Sequence, residues 1–566
     1  LLMNTHIPIP FAETGKALSD VEIIKINSHL LRGTLADSLK DQISGSVAEA
    51  DTQLIKFHGI YQQDDREIRT ERQRQKLEPA FNFMIRARIP GGICTPKQWL
   101  ALDEISDLYA NGTLRLTTRQ ALQFHGVLKG GLKKSLQHMD RVLVDSIAAC
   151  GDVNRNIMCN PNSNASVAHK EVFEHAKAIG ELLLPKSRAY HEIWLDGEKL
   201  SSDEEVEPIY GNTYLPRKFK IGIAIPPVND VDIYSQDLGF IAILENKTLV
   251  GFNVLVGGGM GATHGNSNTY PRLANNIGFC TTEQVLDVAE QVVTIQRDYG
   301  NRTDRKLSRL KYTIDSYGLD WFKTELSSRM KDSLSPSKEV TFTHRGDQFG
   351  WQQSDDGLRH LTLYIENGRV KDIPQQLMRT GLKAIAELDA GDFRITPNQN
   401  LIIANVTEQQ QQQIELLIEH YKLDKIAGND LLHKNALACV ALPTCPQAMA
   451  EAERYLPEFL SKVDLLLEKH QLQEQPMTIR ITGCPNGCAR PYLAEIALVG
   501  KAAGRFNLHL GGSYNGERLN QLFKENIKEQ QILVELNELF AAYKNGRQAD
   551  ESLGDFTRRS LWLEKS

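Results

Sequence analysis

The sequence predicts an α+β protein built by internal duplication, with two small half-units and two larger α/β blocks. Three observations carry that expectation. The chain has 566 residues, room for roughly three or four domains. GTLRLTTRQALQFHGV (Gly112–Val127) aligns without a gap on GDFRITPNQNLIIANV (Gly391–Val406), with six identities in sixteen positions. Each copy also follows the same order of elements. A strand-like run closed by glycine comes first, FNFMIRARIPGG in one and HLTLYIENG in the other, and then a helix-like stretch, QWLALDEISDLYAN or LMRTGLKAIAELDA.

Taken along the chain, residues 1–80 form an N-terminal arm whose run QQDDREIRTERQRQKLE reads as a solvated helix face. Residues 81–145 are the first half-unit, 146–339 a larger α/β block, 340–424 the second half-unit, and 425–566 a second large block. The tract EQQQQQIELLIEHY has helical periodicity and is predicted as a surface helix.

Composition narrows the function classes. Hydrophobic residues make up 41% and charged residues 24%, an ordinary globular profile, and the formal charge of −6 advertises neither nucleic acid nor an acidic membrane. The most apolar run, around Leu249–Gly261, is short and broken by glycines, so no membrane span is expected. The N-terminal stretch lacks a charged segment followed by an apolar one, which argues against a signal peptide and for a cytoplasmic address. Structural disulfides are not expected there.

Eight cysteines are present, and four of them pair up as CVALPTC (Cys439, Cys445) and CPNGC (Cys484, Cys488). Paired thiols in a reducing compartment point to metal or redox chemistry. Zinc knuckles favour pairs two to four residues apart, which suits the second pair and not the first. Wider loops with prolines suit the four corners of an iron–sulfur cube better, and Pro443, Pro446 and Pro485 lie in or beside the pairs. A structural zinc clip in a scaffold subunit stays open as the alternative.

The two copies of the duplication differ in charge. The first carries Arg86, Arg88, Arg119, Gln123 and His125, where the second has mostly aliphatic or amide residues, so the first is the one equipped to hold an anion. DVNRN adds Arg155. In LPRKFK, period-two geometry puts Lys218 and Lys220 on one face and Phe219 on the other, a repulsive pairing unless an anion lies between the lysines. The loop LVGGGMGATHGN (Leu255–Asn266) departs from the G-x-G-x-x-G fingerprint, so nicotinamide binding is not expected; close backbone approach to a flat or anionic ligand is.

ACVALPTCP and TGCPNGC, together with FMIRARIPGG, LRLTTRQALQFHG, DVNRN and LPRKFK, resemble the siroheme-dependent sulfite and nitrite reductases. The likeness runs over nearly the whole chain, from LRGTL and FHGIYQQDDREIR to DFTRR. It implies ferredoxin-like half-units and larger α/β domains around a central cofactor. It further implies a [4Fe–4S] cluster on Cys439, Cys445, Cys484 and Cys488, with Cys488 shared with the siroheme iron. Arg86, Arg155, Lys218 and Lys220 match the family's substrate face; Arg86 is favoured over Arg88 because it heads FMIR. Arg115, Thr117, Arg119 and Gln123 match residues around the macrocycle. The implied reaction is six-electron reduction of sulfite to sulfide for cysteine biosynthesis. Lys220, where plant-type nitrite reductases commonly have asparagine, favours sulfite over nitrite. The bacterial branch of the family implies an outside donor, a flavoprotein subunit carrying FAD/FMN and using NADPH, with ferredoxin as the alternative and the arm as its docking element.

Overall fold

The computed structural model describes residues 17–198, 205–424 and 430–563. Two five-stranded antiparallel sheets embody the duplicated half-units. One runs, in spatial order, Ile60–Asp64, Phe81–Ala87, Leu122–Val127, Leu114–Leu116, Arg369–Val370; the other runs Gly350–Gln353, Arg359–Leu363, Leu401–Val406, Asp392–Ile395, Ile93–Cys94. Their last strands are exchanged. Ile93–Cys94 leaves the first half-unit to pair with Asp392–Ile395, and Arg369–Val370 leaves the second to pair with Leu114–Leu116.

Local chemistry explains the crossover. The turns before these strands hold positive φ at Gly91 and Gly92, and at Asn367 and Gly368. A Cβ at Gly92 would lie 2.4 Å from the Ile395 carbonyl oxygen, and one at Gly368 would lie 2.3 Å from that of Leu116. Only glycine lets the backbones approach so closely. The helix Pro96–Tyr109 starts on a Thr95–Gln98 capping box with proline in its first turn, and Glu408–Tyr421 starts on a Thr407–Gln410 box. The latter is the glutamine-rich tract predicted as a surface helix. Trp99 stacks on Phe393 at 4.8 Å, so the halves share one core.

The duplication extends beyond the two half-units to the larger blocks. Ile221–Ala224 pairs parallel with Leu238–Glu245, which continues antiparallel into Thr248–Val256 and Asn275–Thr281. Ile479–Thr482, Ile496–Ala502, Arg505–Leu510 and Gln521–Ile527 repeat that arrangement. The signal was present in GFNVLVGG and RFNLHLGG, which share Phe252/Phe506, Asn253/Asn507, Gly257/Gly511 and Gly258/Gly512. Gly257 N donates to Asp237 O at 2.9 Å, and Gly511 N donates to Glu495 O at 3.0 Å. The glycine loop is therefore one half of a repeated structural turn. Its close approaches are to protein, since a Cβ at Gly258 would lie 2.3 Å from the Tyr234 carbonyl oxygen.

The stretch expected as an arm also differs. Helix Asp20–Ile26 buries Glu22 and Lys25, and Glu22 takes Lys25 Nζ at 2.6 Å and Arg302 Nη1 at 2.5 Å. Leu31, Leu35, Leu54, Ile55, Phe57 and Ile60 are buried in the main core, and Ile60–Asp64 is an edge strand of the first sheet. The apolar spacing that fixes this stretch is masked in sequence by the charged run after it. Only the later part of that run is the exposed helix expected, Arg69–Arg74, which buries no residue; its start, Gln62–Asp64, belongs to the edge strand and buries Gln63 and Asp64.

Candidate functional site

A cavity of about 300 Å³ opens where the first sheet, both large blocks and the cysteine loops meet. The residues that the family resemblance implicates all line it: Arg86, Arg115, Thr117, Arg119, Gln123, Arg155, Lys218, Lys220, Cys439, Cys445, Cys484 and Cys488. Arg88 does not; it lies one residue past the strand Phe81–Ala87, where Asp145 Oδ1 takes its Nε at 2.8 Å.

Strand pairing builds one wall. Arg86 lies opposite Gln123, and Gln123 opposite Arg115, across three neighbouring strands. Directly opposed residues share a face, and so do residues two apart. Met84 and His125 therefore join this face, with Tyr61 opposite Met84 and Gln63 two residues on. Turned with its oxygen toward Arg86, the Gln123 amide accepts from Arg86 Nη2 at 2.6 Å. Arg86 Nη1 donates to Ala149 O at 3.2 Å and to Cys150 Sγ at 3.0 Å. In the second half-unit the corresponding space is filled by protein. Arg394, the partner of Arg115 in the duplication, is buried and donates to Pro161 O at 3.3 Å and Asn162 Oδ1 at 3.1 Å.

The opposite wall comes from the block around Ile221–Ala224. Arg155 Nε and Nη2 donate to Gly151 O at 3.0 and 2.7 Å, while its N–H joins Phe219 O at 3.0 Å. Phe219 is 1% exposed, so Lys218 and Lys220 on either side of it turn toward the cavity. Arg119 donates to Asn156 O at 3.2 Å, to Ile221 O at 2.8 Å, and to Gln236 Oε1. The Thr117 hydroxyl accepts from Arg119 N and Ala121 N, both at 3.2 Å, which sets the loop that aims Arg119.

Charge is the dominant property of this space. Ten lysines and arginines line it, against one carboxylate, Asp152, in a chain of net charge −6. Burial first, with neighbouring cations adding to it, lowers the affinity of several of these groups for protons. Arg119 falls to about 9, Arg217 to about 10, Lys56 to about 8, and Lys218 and Lys220 well below ordinary lysine. Lys56, Arg217, Arg305 and Arg490 were missed in the sequence, although Arg217 stands inside LPRKFK and Arg490 directly after CPNGCA. Asp152 offsets part of the field by taking Arg305 Nη1 at 2.7 Å.

The thiols occupy the third wall. Cys439 Sγ accepts from Gly483 N at 3.3 Å, and Cys445 N donates to Ala441 O at 2.8 Å. Burial, and then repulsion from the neighbouring thiols, pushes Cys439, Cys445 and Cys484 upward, Cys484 to about 12. Among the described residues no three His, Cys, Asp or Glu side chains close on a single ion. The CPNGC turn rests on the glycine loop: Ala262 N donates to Pro485 O at 2.9 Å, and Gly487 has φ +64 over the Met260 carbonyl.

No helix among the described residues is long and apolar enough to cross a membrane. The family profile described as nitrite/sulfite reductase ferredoxin-like half domain matches residues 74–142 and 351–420, and the one described as nitrite and sulphite reductase 4Fe-4S domain matches 174–334. That second match covers the structural mate of the block carrying the paired cysteines. The chain is similar to the sulfite reductase [NADPH] hemoprotein beta-component of Oceanobacillus iheyensis, 55% identical over 97% of this chain and 95% of that one. Its counterparts in Anoxybacillus flavithermus (56%, covering 96% and 95%) and Staphylococcus epidermidis strain ATCC 12228 (54%, covering 99% and 98%) are similarly alike. In fold it resembles the Mycobacterium tuberculosis NirA protein, TM-score 0.77 at 24% identity over 98% of each chain. With both half-domain matches, full-length relatives above half identity and all the predicted side chains on one cavity, the chain belongs to the nitrite and sulphite reductase family, among the sulfite reductase hemoprotein beta-components.

Proposed function

We propose that this protein reduces sulfite to sulfide at a siroheme coupled to a [4Fe–4S] cluster, as the hemoprotein component of an assimilatory NADPH–sulfite reductase. The single observation that carries the reading is one cavity lined by ten cations and four thiols. Siroheme is rimmed with carboxylates, and a buried polyanion needs that many cations. Four thiols on one wall suit a cluster. Both groups fit.

When bound, these groups supply the iron at which sulfur is reduced and the electrons that reach it one at a time. The remaining work falls to the chain. Cys439, Cys445, Cys484 and Cys488 would hold the cluster, with Cys488 the residue that the two groups would share. Arg115, Thr117, Arg119 and Gln123 seat the macrocycle. Arg86 and Arg155 orient the oxygens of the substrate. Lys218 and Lys220, with proton affinity lowered by burial, give protons to oxygens that leave as water. Six electrons are taken up and three oxygens depart. Two unit charges 4 Å apart interact by about 4 kcal/mol at an effective dielectric near 20, so an anion entering beside an anionic macrocycle depends on these cations.

In this reading the half-units 81–145 and 340–424 frame a substrate and siroheme domain, 146–339, and a cluster domain, 425–566. Electrons come from NADPH through a flavoprotein alpha subunit, in the cytoplasm. The purified protein, reconstituted, is expected to show siroheme and cluster absorption bands. Lys218→Ala is expected to keep both and lose most sulfite turnover; a colourless protein, or undiminished turnover, refutes the assignment.

A further inference from the structure

The turn that carries Cys488 is held by a device lying on the pseudo-twofold axis of the duplicated chain. Arg490 has φ 53 and begins the short helix Pro491–Leu493, as Asp232 has φ 48 and begins Ile233–Ser235. The two are mates in the repeat, and they are ion-paired to each other. The Arg490 guanidinium also donates to Thr118 O at 3.1 Å and Pro397 O at 3.0 Å. Those two carbonyls occupy matching positions in the duplicated segments 112–127 and 391–406. One side chain therefore grips the same loop position of both half-units.

Thr118 returns the contact, its hydroxyl donating to the Cys488 carbonyl at 3.2 Å. The mate of Cys488, counted from Asp232, is Asp230, and its carbonyl accepts from Asn398 Nδ2 at 3.2 Å. Loop-to-turn tethering thus occurs on both sides of the axis with different donors. Only the side with a threonine hydroxyl carries a thiol.

We propose that Thr118 and Arg490 are positioning residues that fix Cys488 between the cluster and the macrocycle. The inference rests on the reading of Cys488 as their shared ligand. Neither side chain needs to touch sulfur. Each holds the main chain on which the thiol is mounted: Thr118 at its carbonyl, Arg490 two residues on, with its own carbonyl taken by Arg480 Nη1 at 3.1 Å.

The test uses the reconstituted holoenzyme and its cofactor-free form, with Thr118→Val, Thr118→Ser and Arg490→Lys. Losing one such hydrogen bond corresponds to about a tenfold change. In the cofactor-free protein, Thr118→Val is expected to speed amide hydrogen exchange over residues 484–490 about tenfold. In the holoenzyme, per loaded siroheme, it is expected to weaken the Mössbauer signature of siroheme–cluster coupling and to lower kcat about tenfold with KM for sulfite unchanged. Thr118→Ser should restore all three readouts, and Arg490→Lys should reproduce the Thr118→Val pattern. Exchange, coupling and kcat unchanged in Thr118→Val overturn the tether, as does a Thr118→Ser protein equally impaired. Absence of coupling in the wild-type holoenzyme overturns the Cys488 assignment itself, and the two failures are thereby distinguished.

Discussion

Replacing Lys220 by methionine should cost turnover and raise the stability of the cofactor-free protein. The two lysines flank Phe219 on an extended segment, so their backbones are two residues, about 6.6 Å, apart on one face. Two ammonium groups at that spacing repel by about 2.5 kcal/mol at an effective dielectric near 20. Arg119 and Arg309 add to the repulsion at Lys220. Methionine keeps most of the side-chain volume and removes both the charge and its burial cost. The sign of the pH dependence follows. A lysine depressed in the fold binds fewer protons than in the unfolded chain, so stability climbs as pH rises from the folded-state value toward 10.5. Urea unfolding of the cofactor-free protein at pH 7 and pH 10 is the assay. Lys220→Met should be more stable than wild type by about 2 kcal/mol at pH 7, with the gap narrowing at pH 10. Sulfite turnover of the holoenzyme should fall about a hundredfold or more. A variant less stable than wild type at pH 7, or a gap that widens with pH, refutes the electrostatic reasoning.

Three further outcomes are expected. Asp232 is 1% exposed and takes Arg345 Nε at 2.8 Å and Arg480 Nη1 at 2.7 Å besides Arg490. Asp232→Asn leaves those arginines uncompensated and should cost about 3–5 kcal/mol in urea unfolding. Gly487→Ala puts a Cβ 2.9 Å from the Met260 carbonyl oxygen at φ +64, which should destabilise by about 1–3 kcal/mol and lower the iron content after reconstitution. Deleting residues 1–60 removes Leu31, Leu35, Leu54, Ile55, Phe57 and Ile60 from the core, so the truncated chain should lose dye-driven activity and donor-driven activity together, read as loss of soluble folded protein. Truncation confined to residues 1–16 is the version that tests a docking role.

Much of the site was legible because its chemistry is written in short, local patterns. Cys439, Cys445, Cys484 and Cys488 declare themselves by spacing, and Lys218 and Lys220 by alternation about a buried phenylalanine. Local pattern also separated Arg86 from the segment that fills the matching place in the second copy. It could not show that Arg88, two residues along, is claimed by Asp145, a partner 57 positions away.

Short-range pattern fixes an inventory: a duplicated α+β chain, two thiol pairs, and a surplus of cations in the first half-unit. Each depends on residues close together along the chain, where spacing and periodicity constrain geometry directly. Only the packed structure shows that the edge strands are exchanged between half-units and that the glycine loop supports the CPNGC turn. It also placed Arg490 on the axis, against carbonyls 372 and 93 positions distant. Contacts of that length are set by how whole sheets pack, and periodicity along the chain carries no record of them.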